Sequence, residues 1–367
     1  MTQALTVLAV NPGSTSTKIA LFRGREQIMK ENVVHDAQKL ALYPLVSDQL
    51  DYRVETILEA CRRAGVELSQ CDAFVGRGGG LNPCEGGTYR VNETMLSHAR
   101  RGGGNHPAAL GSQIAWRFAR EYGRPAFVVN PPDVDEYCDE ARVTGLAGVY
   151  RVASTHALNQ KETAIRMADE LGKPYEACNL IICHLGGGVS VTAHHKGKMV
   201  DSNGIINGEG PMAPTRSGAL PATEVIKLCF SGRYTQQELL QRVVKSGGFV
   251  DHLGTSEVLE ILDKIEQGDQ YAALIYRAFQ YQVAKEAGAM ATVLCGEVDA
   301  IVLTGGIARD EGLCQNLVRM IGFIAPVRVF PGEFEMEALA FGAQRVLSGR
   351  EAEKNYTGEP VFSAFSR

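Results

Sequence analysis

The stretch Asn179–Asp201 reads NLIICHLGGGVSVTAHHKGKMVD and is the part of the sequence that decides the fold class. An apolar run leads into the turn Gly186–Gly188, a second β-rich run follows, and Lys196-Gly197 makes a further turn. Short apolar, β-branched runs separated by glycine turns are typical of consecutive strands joined by hairpins. The stretch therefore predicts a strand, a glycine turn, a second strand, a turn and a third strand.

The same order of runs and turns occurs at the beginning of the chain. Residues 5–34 read LTVLAVNPGSTSTKIALFRGREQIMKENVV, with turns at Asn11–Thr15 and at Arg23–Glu26. The two stretches are separated by about 170 residues, and similarity at a fixed separation indicates an internal repeat. We therefore expect two copies of one three-stranded unit, one in each of two domains.

The rest of the chain alternates apolar runs of strand and helix character, which predicts an α/β fold. A third strand followed by glycines is expected at Ala300–Gly306. Further strands are predicted at 72–75, 126–130 and 327–330, and helices at 50–64, 107–122, 156–171, 271–294, 310–321 and 335–347. The predicted domains are residues 1–153 with 336–367 and residues 154–335, with the last helix returning to the first domain. The polar tail after Gly349 is expected to be a surface arm.

Length and composition limit the classes of function. A chain of 367 residues corresponds to about two domains. Its net charge of 37 − 42 = −5 gives no indication of a nucleic-acid groove, and no apolar run approaches the roughly 18 residues of a membrane helix. The N-terminus lacks the basic region of a signal peptide, and the nine cysteines form no CxxC pair. We expect a cytoplasmic protein whose cysteines are small buried hydrophobic residues.

Glycine turns after strands indicate a phosphate-binding role. Successive backbone N–H groups in a tight turn form a concave anion site, and glycine lets the anion approach closely. Three turns have this form: Asn11–Thr17, Gly186–Ser190 and Gly305–Ile307. Each alone could be an ordinary hairpin turn or helix entry, but three of them with a repeated strand pattern favour phosphate. A Walker-type loop is absent, and the GxGxxA pattern at 208–213 lies in a loop rather than between a strand and a helix.

Eight short motifs, in order along nearly the whole chain, resemble the acetate kinase family. They are NPGSTSTK at 11–18, VGRGGG at 75–80, HALNQ at 156–160, HLGGG at 184–188, GEGP at 208–211, RSG at 216–218, TGGIA at 304–308 and PGEFE at 331–335. Within this group the butyrate and branched-chain fatty acid kinases are the most similar. The resemblance implies two duplicated actin-like ATPase domains, of the ribonuclease H-like type, with the nucleotide in an interdomain cleft.

The resemblance also implies a reaction. A short-chain fatty acid carboxylate, butyrate or a branched acid of four or five carbons, would attack the γ-phosphoryl group of ATP and give an acyl phosphate and ADP, reversibly and with Mg²⁺. Acetate or propionate is the alternative substrate, and a slow actin-like ATP-binding switch is the alternative from another class. The implied partners are the acid and the nucleotide, with self-association into a homodimer or larger homo-oligomer and no nucleic acid or membrane.

The chemistry of a carboxylate nucleophile sets the demands on the site. A carboxylic acid is already ionised at pH 7, so it needs no general base. Two like charges about 4 Å apart repel by roughly 4 kcal/mol at an effective dielectric constant near 20. The enzyme must therefore supply cations and hydrogen-bond donors. Arg77 and Arg216 are the candidates, because a guanidinium can bind carboxylate or phosphoryl oxygens with two parallel N–H groups.

The resemblance assigns roles to further residues. The implied catalytic residues are Arg77, Arg216, His156, His184 and Asn11. The implied acyl-binding residues are Arg77, His106 and Asn130. The implied nucleotide- and phosphate-binding residues are Asn11, Ser14, Thr15, Lys18, Gly186, Gly187, Gly188, Gly305, Gly306 and Ile307, with adenosine against Gly305–Ile307 and the helix that follows. The implied magnesium residues are Glu335 and Asn11, with Glu333 and Glu337 as neighbours in an uncertain register. His194 and His195 are expected to be solvated.

The sequence departs from the family at one position. The family usually has an aspartate where the strand 126–130 ends, and this chain has Asn130 there, with Asp133 and Asp135 close behind. An amide can bind a water molecule but brings no negative charge for Mg²⁺. Which of these three residues takes the aspartate's role is open at this level, and we expect Asn130→Asp to be tolerated.

Overall fold

A computed structural model describes residues 4–102 and 106–365. In these residues the strands are β1 (Thr6–Pro12), β2 (Ser16–Arg23), β3 (Glu26–Val34), β4 (Ala73–Gly76), β5 (Thr88–Arg90), β6 (Ala126–Val129), β7 (Asn179–Leu185), β8 (Val189–His195), β9 (Lys198–Ser202), β10 (Ala300–Gly305), β11 (Val327–Pro331) and β12 (Lys354–Asn355).

The helices lie mostly between the strands. They are α1 (Ala37–Leu40), α2 (Leu50–Arg63), α3 (Glu93–Gly102), α4 (Leu110–Tyr122), α5 (Asp139–Arg142), α6 (Ala157–Leu171), α7 (Ala222–Cys229), α8 (Gln236–Val244), α9 (Phe249–Leu253), α10 (Val258–Glu266), α11 (Gln270–Val293), α12 (Glu311–Ile321) and α13 (Glu335–Leu347). Short 3₁₀ turns occur at Val46–Gln49, Leu68–Gln70, Pro107–Ala109, Tyr175–Ala177 and Gly306–Arg309. Within the described ranges, no helix is both long enough and apolar enough to cross a bilayer.

The chain forms two compact units, each built on one sheet. Unit 1 comprises Met1–Asp135 and Phe334–Arg367, and unit 2 comprises Glu136–Glu333. The strand order is β12-β5-β6-β4-β1-β2-β3 in unit 1 and β11-β10-β7-β8-β9 in unit 2. Both sheets combine parallel and antiparallel strands with helices, so the fold is α/β as predicted.

The two sheets contain the same five-stranded pattern. In unit 1, β1, β2 and β3 are consecutive antiparallel strands, and β4 and then β6 add in parallel on the other side of β1. In unit 2, β7, β8 and β9 are antiparallel, and β10 and β11 add in parallel beside β7. The three-stranded repeat read from the sequence is therefore present in both units, at the positions predicted.

The sheet of unit 1 is covered by helices, because its central strand is apolar on both faces. Leu8 and Val10 of β1 belong to the buried cluster formed with α2 and α4. Val7 and Ala9 point to the opposite face and are fully buried as well, and α13 packs against β1, β4 and β6. Helix α13 thus completes unit 1 from the far end of the sequence.

The sheet of unit 2 is likewise covered on two faces. Ile181, Cys183 and Leu185 of β7 join the large cluster under α11 and α12, whereas Leu180 and Ile182 pack with α6. The strands β7 and β8 carry few exposed residues, which explains why their sequences are nearly continuous apolar runs.

Two expectations about individual regions were wrong. His194 is fully buried, not solvated, because its ring bonds to the Tyr175 hydroxyl at 2.7 Å and to Gln160 at 3.1 Å; His195 beside it is half-buried. The tail after Gly349 is not a free arm, because β12 pairs with β5 and Tyr356 is buried.

The cysteines also differ in part from the expectation. All nine are free thiols, and six are buried as predicted. Cys138 is half-buried, and Cys229 and Cys295 are exposed. Cys229 is the last residue of α7, a helix without buried residues, and Cys295 follows the C-terminal end of α11.

Candidate active site

Three predicted site residues of unit 1 lie together at one end of the sheet. β1 and β4 are parallel neighbours with Val10 opposite Gly76, so Asn11 and Arg77 follow at the same level. The Asn11 amide donates from Nδ2 to Glu335 Oε2 at 2.8 Å, and Arg77 Nη1 donates to Glu335 Oε1 at 2.6 Å. Glu335 is the first residue of α13, so the return of the chain to unit 1 completes the cluster.

Charge holds the Glu335 carboxyl in its ionised form. Burial alone would raise its pKa, but Arg77, Lys18 and the Asn11 amide together lower the pKa below its usual value. Glu333, two residues earlier, lies in unit 2, where Oε1 is 4.0 Å from His184 Nε2. Of the acidic residues around position 335, it is Glu335 that contacts Asn11 and Arg77.

Two glycines bring the strand that carries Arg77 against α4. A Cβ built on Gly76 would overlap the backbone of Gly111, and a Cβ built on Gly111 would overlap the backbone carbonyl of Arg77. The strand and the helix can therefore approach this closely only without side chains at both positions. The backbone of Arg77 is further fixed by its N–H, which donates to the Val10 carbonyl at 2.9 Å.

Asn130 ends β6 with a backbone conformation that suits its residue type. Its φ of 39° lies in the left-handed region, which asparagine tolerates better than most residues. Its side-chain Oδ1 accepts the Gly87 N–H at 2.7 Å, and its own N–H donates to the Gly87 carbonyl at 2.9 Å. The side-chain carbonyl therefore helps to hold the end of β6 against the start of its antiparallel neighbour β5.

Of the two nearby aspartates, Asp133 has an unusual environment. Burial raises the pKa of Asp133 to about 6, partly offset by the Leu81 N–H and by the charge of Arg77. Its Oδ2 is buried and has no hydrogen-bond partner among the described residues. Asp135 is also buried, and its N–H donates to the Cys84 carbonyl at 2.9 Å. The charge of Arg77 thus acts on the Asp133 carboxyl of this loop.

The other unit 1 candidates border this cluster. His106 precedes the turn Pro107–Ala109, and its Nδ1 accepts the Ala108 N–H at 3.3 Å. Desolvation and then the charge of Arg77 lower the pKa of His106. Ser14 and Thr15 are exposed in the turn between β1 and β2, and Lys18 is exposed opposite Asn11 in that hairpin.

In unit 2, the two candidate histidines stack on each other. The ring centroids of His156 and His184 are 4.0 Å apart, with an angle of 24° between the planes. The Asn159 amide nitrogen, which can only donate, lies 2.9 Å from His184 Nδ1. The ring proton of neutral His184 therefore sits on Nε2. His156 Nδ1 bonds to the Ser190 hydroxyl at 2.9 Å.

Arg216 lies directly against the glycine turn that follows β7. A Cβ built on Gly188 would overlap its guanidinium group. Nε and Nη1 of Arg216 are buried and have no acceptor among the residues that the structure describes. Burial lowers the pKa of Arg216, but an arginine stays charged at any physiological pH. A half-buried cation whose buried donors Nε and Nη1 lack an acceptor, beside a glycine turn, is suited to an anion.

A cavity of about 720 Å³ lies in unit 2 and unites two of the three predicted glycine turns. Gly186 and Gly187 line it on one side, and Gly306 and Ile307 on another. Its volume falls in the range of small-molecule and cofactor sites, roughly 300–1,000 Å³. Glu333, from the PGEFE motif, also lines it, and the remaining walls come from residues outside the motifs: Pro214, Thr215, Ser256, Glu257, Val258, Leu259, Leu262, Arg309, Asp310, Glu311 and Gly312.

Gly305 has a different role from its neighbours. Its φ is 94°, and a Cβ at this position would overlap the backbone of Leu185. It therefore allows β10 to lie close to β7 rather than lining the cavity.

Sequence reasoning missed several residues that shape these sites. Asn159 fixes the proton position of His184, and the three-residue spacing from His156 on one helix could have indicated it. Thr215 donates its hydroxyl to the Gly187 carbonyl at 3.1 Å. No sequence pattern indicates that residues 256–259 form a cavity wall, because they lie at the start of α10, far in sequence from the three predicted glycine turns.

The residues of unit 1 fit a magnesium ion that is held jointly with phosphate. Mg²⁺ keeps several waters and is usually bound by one or two carboxylates plus the phosphates of the substrate. Glu335 is ionised, and the Asn11 amide lies beside it, which supplies one carboxylate and one oriented amide. No group of three or more His, Cys, Asp or Glu that could hold a metal alone occurs in residues 4–102 and 106–365.

Solved structures of short-chain acid kinases have the same fold. Porphyromonas gingivalis acetate kinase superposes with a TM-score of 0.76 at 20% identity, covering 94% of this chain and 100% of that one. Entamoeba histolytica acetate kinase superposes with a TM-score of 0.73 at 16% identity, covering 92% of this chain and 99% of that one. A propionate kinase from Francisella tularensis superposes with a TM-score of 0.71 at 17% identity, covering 92% of this chain and 98% of that one. At these identities the likeness establishes the fold.

The sequence itself establishes the family. The profile of the acetokinase family matches residues 136–328, which is more than half of the chain and includes the stacked histidines, Arg216 and every residue of the unit 2 cavity except Glu333. The chain belongs to the acetokinase family.

Proposed function

We propose that the chain transfers the γ-phosphoryl group of ATP to the carboxylate of a short-chain fatty acid, giving an acyl phosphate and ADP in a reversible, direct in-line reaction. Membership of the acetokinase family makes it a kinase, with ATP or ADP as substrate. The observation that carries the proposal is Arg216, whose buried Nε and Nη1 have no acceptor among the described residues while the guanidinium lies against Gly188. Such a group is poised to stabilise charge on a transferring phosphoryl group.

The nucleotide is proposed to bind in residues 154–335. The cavity of unit 2 has apolar walls at Val258, Leu259 and Ile307, which suit a base, and glycine N–H groups at Gly186 and Gly306, which suit phosphates. We propose that adenosine packs against the apolar walls and that the phosphates extend toward Arg216.

The acid is proposed to bind in residues 1–153 with 336–367, near Arg77. Its carboxylate is already ionised, so the site has no need of a base. Arg77 would hold the carboxylate against electrostatic repulsion from the phosphates, and His106 and Asn130 would border the acyl chain. Glu335 holds Arg77 in place by an ion pair whose side chains are 13% and 24% exposed.

The stacked histidines are proposed as donors to the phosphoryl group. With Asn159 bound at Nδ1, His184 presents a proton at Nε2. His156 is oriented by Ser190 at Nδ1. Hydrogen bonds from the two rings would accelerate the transfer to the extent that they are stronger in the transition state than in the ground state.

Glu335 and Asn11 are proposed to hold Mg²⁺ with the phosphates. When bound, the ion neutralises charge on the phosphate oxygens. Ser14, Thr15 and Lys18 are proposed to complete the phosphate contacts through the β1–β2 turn.

The acyl chain is proposed to be butyrate or a branched acid of four or five carbons. This preference rests on the resemblance of the Asn11-Pro12 turn and of the segment HALNQ, and acetate or propionate is the alternative. Each methylene in an apolar pocket changes the rate by about 10–200-fold, so a series of acids separates these possibilities clearly.

The test is to trap the acyl phosphate with hydroxylamine in the presence of ATP, Mg²⁺ and each acid from acetate to isovalerate. We expect acyl hydroxamate, with the highest kcat/KM at four or five carbons. If kcat/KM is highest for acetate or propionate, the proposed preference for four or five carbons is wrong, but the proposed kinase activity stands. No hydroxamate with any acid, together with slow ATP hydrolysis, would favour the actin-like switch.

We further propose that the protein is cytoplasmic and assembles as a homodimer or larger homo-oligomer. Nine free thiols are compatible with a reducing compartment. Light scattering after size-exclusion chromatography measures the assembly directly, and a mass of one chain, 39.7 kDa, would reject it.

A further inference from the structure

A fully buried arginine lies beneath the first glycine turn of unit 1. Arg53 is the bulkiest side chain in the described residues that is fully buried, and it projects from α2 toward the turn between β1 and β2. Sequence alone does not distinguish it from Arg62 and Arg63, which lie exposed on the same helix.

All five N–H groups of Arg53 are used. Nε and Nη2 donate to Gln49 Oε1 at 3.0 and 2.9 Å. Nη1 donates to the Gly13 carbonyl at 2.9 Å and to the Thr17 hydroxyl oxygen at 3.0 Å, and Nη2 also reaches the Ser14 carbonyl at 3.5 Å. The side chain therefore clamps the phosphate-binding turn to the start of α2.

None of these acceptors is negatively charged. Arg53 forms no ion pair with a carboxylate of the described residues, and His35, which bonds to the same Thr17 hydroxyl at 2.8 Å, is itself buried and uncharged at neutral pH because its pKa is about 4. A buried cation without a counter-ion is costly to a fold. Its presence calls for an anion close by.

The hydrogen bonds of Arg53 also orient the peptide groups of the turn. In a trans peptide the N–H points away from the preceding C=O. Because the Gly13 and Ser14 carbonyls face Arg53, the N–H groups of Ser14 and Thr15 face away from it. In the part of the chain that the structure describes, neither N–H meets an acceptor. Two outward N–H groups over a buried positive charge form an anion site.

We propose that Arg53 is a positioning residue for the phosphate chain of the nucleotide: it fixes the outward N–H groups of Ser14 and Thr15 and supplies a positive charge behind them. The anion in this inference is the nucleotide of the proposed function. Arg53 does not touch the substrate and acts through the turn.

The sharpest test is Gln49→Glu. This change keeps the acceptor oxygen that Arg53 uses and adds a negative charge, so the fold gains an ion pair while the charge beneath the turn is neutralised. We expect the Kd for ATP to rise about five- to tenfold, with the Kd for adenosine within about twofold and the Tm unchanged or higher. Calorimetric titration with ATP and with adenosine, without any acid, measures both constants. A purely structural clamp would leave ATP affinity unchanged.

Arg53→Met and Arg53→Lys extend the test. Methionine removes the charge and the donors, and we expect it to weaken ATP binding more than tenfold; lysine keeps the charge and should restore part of the affinity. The matched control is Arg63→Met, which removes one charge from the exposed face of the same helix, where Arg63 pairs with Glu31 at 2.7 Å. It should change ATP affinity less than twofold.

The outcomes separate this inference from the proposed function. If the wild type binds ATP and forms acyl hydroxamate, but Gln49→Glu keeps full ATP affinity, Arg53 has no positioning role and the kinase stands. The inference also fails if Gln49→Glu weakens adenosine and ATP binding equally. If the wild type binds ATP but forms no hydroxamate, and Gln49→Glu still weakens ATP binding, the kinase fails and the positioning role stands.

Discussion

Arg216 is half-buried, and its buried Nε and Nη1 donors have no acceptor among the described residues, so a small change of its side chain should have a large effect. We predict that Arg216→Lys lowers kcat about 100-fold and leaves the Tm within a few degrees, because a lysine ammonium cannot present two parallel donors. The hydroxamate assay and thermal unfolding measure the two effects.

A control for Arg216→Lys exists in the same unit. Arg242 binds both carboxylate oxygens of Asp251 at 2.8 and 2.9 Å on the surface. Arg242→Lys should keep near-normal kcat. A near-normal kcat for Arg216→Lys as well would remove Arg216 from the mechanism.

Asn130 stands where the family usually has an aspartate, and its left-handed backbone defines which residues can replace it. Asn130→Asp keeps an oxygen acceptor for the Gly87 N–H and a residue type that tolerates φ of 39°. We predict kcat within about threefold of wild type. Asn130→Val, which loses the acceptor and is β-branched, should lower the free energy of unfolding by about 2–3 kcal/mol. Urea unfolding and the hydroxamate assay decide; a large activity loss in Asn130→Asp contradicts the prediction.

His35 should make stability depend on pH. Burial, and then the charge of Arg53, lower its pKa from 6.5 to about 4. Between pH 6.5 and pH 4, His35 binds a proton in the unfolded chain but not in the folded chain. The free energy of unfolding is therefore unaffected by this group above pH 6.5 and decreases as the pH falls toward 4. The loss is up to about 3 kcal/mol.

The corresponding variant is His35→Gln, which should flatten the fall in unfolding free energy between pH 6.5 and 4.5. Denaturant titrations at several pH values measure it, with His252→Gln, at an exposed position, as the control. If the unfolding free energy falls equally steeply with pH in the wild type and in His35→Gln, a group other than His35 causes the pH dependence.

At the scale of elements, the contact of β4 with α4 depends on the absence of a side chain. A Cβ on Gly111 would overlap the Arg77 carbonyl, whereas a Cβ on Gly288 of α11 meets no atom within 4 Å. We predict that Gly111→Ala destabilises the protein by about 2–4 kcal/mol and reduces activity by displacing Arg77. Gly288→Ala, the same change in another helix, should stabilise by about 0.5–1 kcal/mol. Denaturant unfolding of both variants measures the two changes in the free energy of unfolding. Changes of the same sign would contradict the prediction.

Elements with a strong local pattern were predicted well. The helix expected at 335–347 matches α13, and the strands of both three-stranded units lie where the apolar runs are. β12 was missed because two residues on a sheet edge carry no periodicity, and its position depends on pairing with β5.

At the scale of the whole molecule, binding of the nucleotide should stabilise the fold. A ligand that binds only the native state at 100 times its Kd adds about 2.7 kcal/mol to the free energy of unfolding. We predict that ATP with Mg²⁺ raises the Tm by several degrees and that adenosine at the same concentration raises it less. A scanning-fluorimetry titration tests this, and no shift at millimolar ATP would argue against a nucleotide site.

The sequence by itself determined the repeated strand order, the α/β class and the family resemblance, because periodicity and glycine turns are local features of a chain. Only the tertiary structure decided which side chains meet: Glu335 with Asn11 and Arg77, His156 with His184, and the walls of the unit 2 cavity. These contacts join residues that can be hundreds of positions apart. Their partners follow from packing and from the cost of burying unpaired charge, and neither is encoded in any one segment.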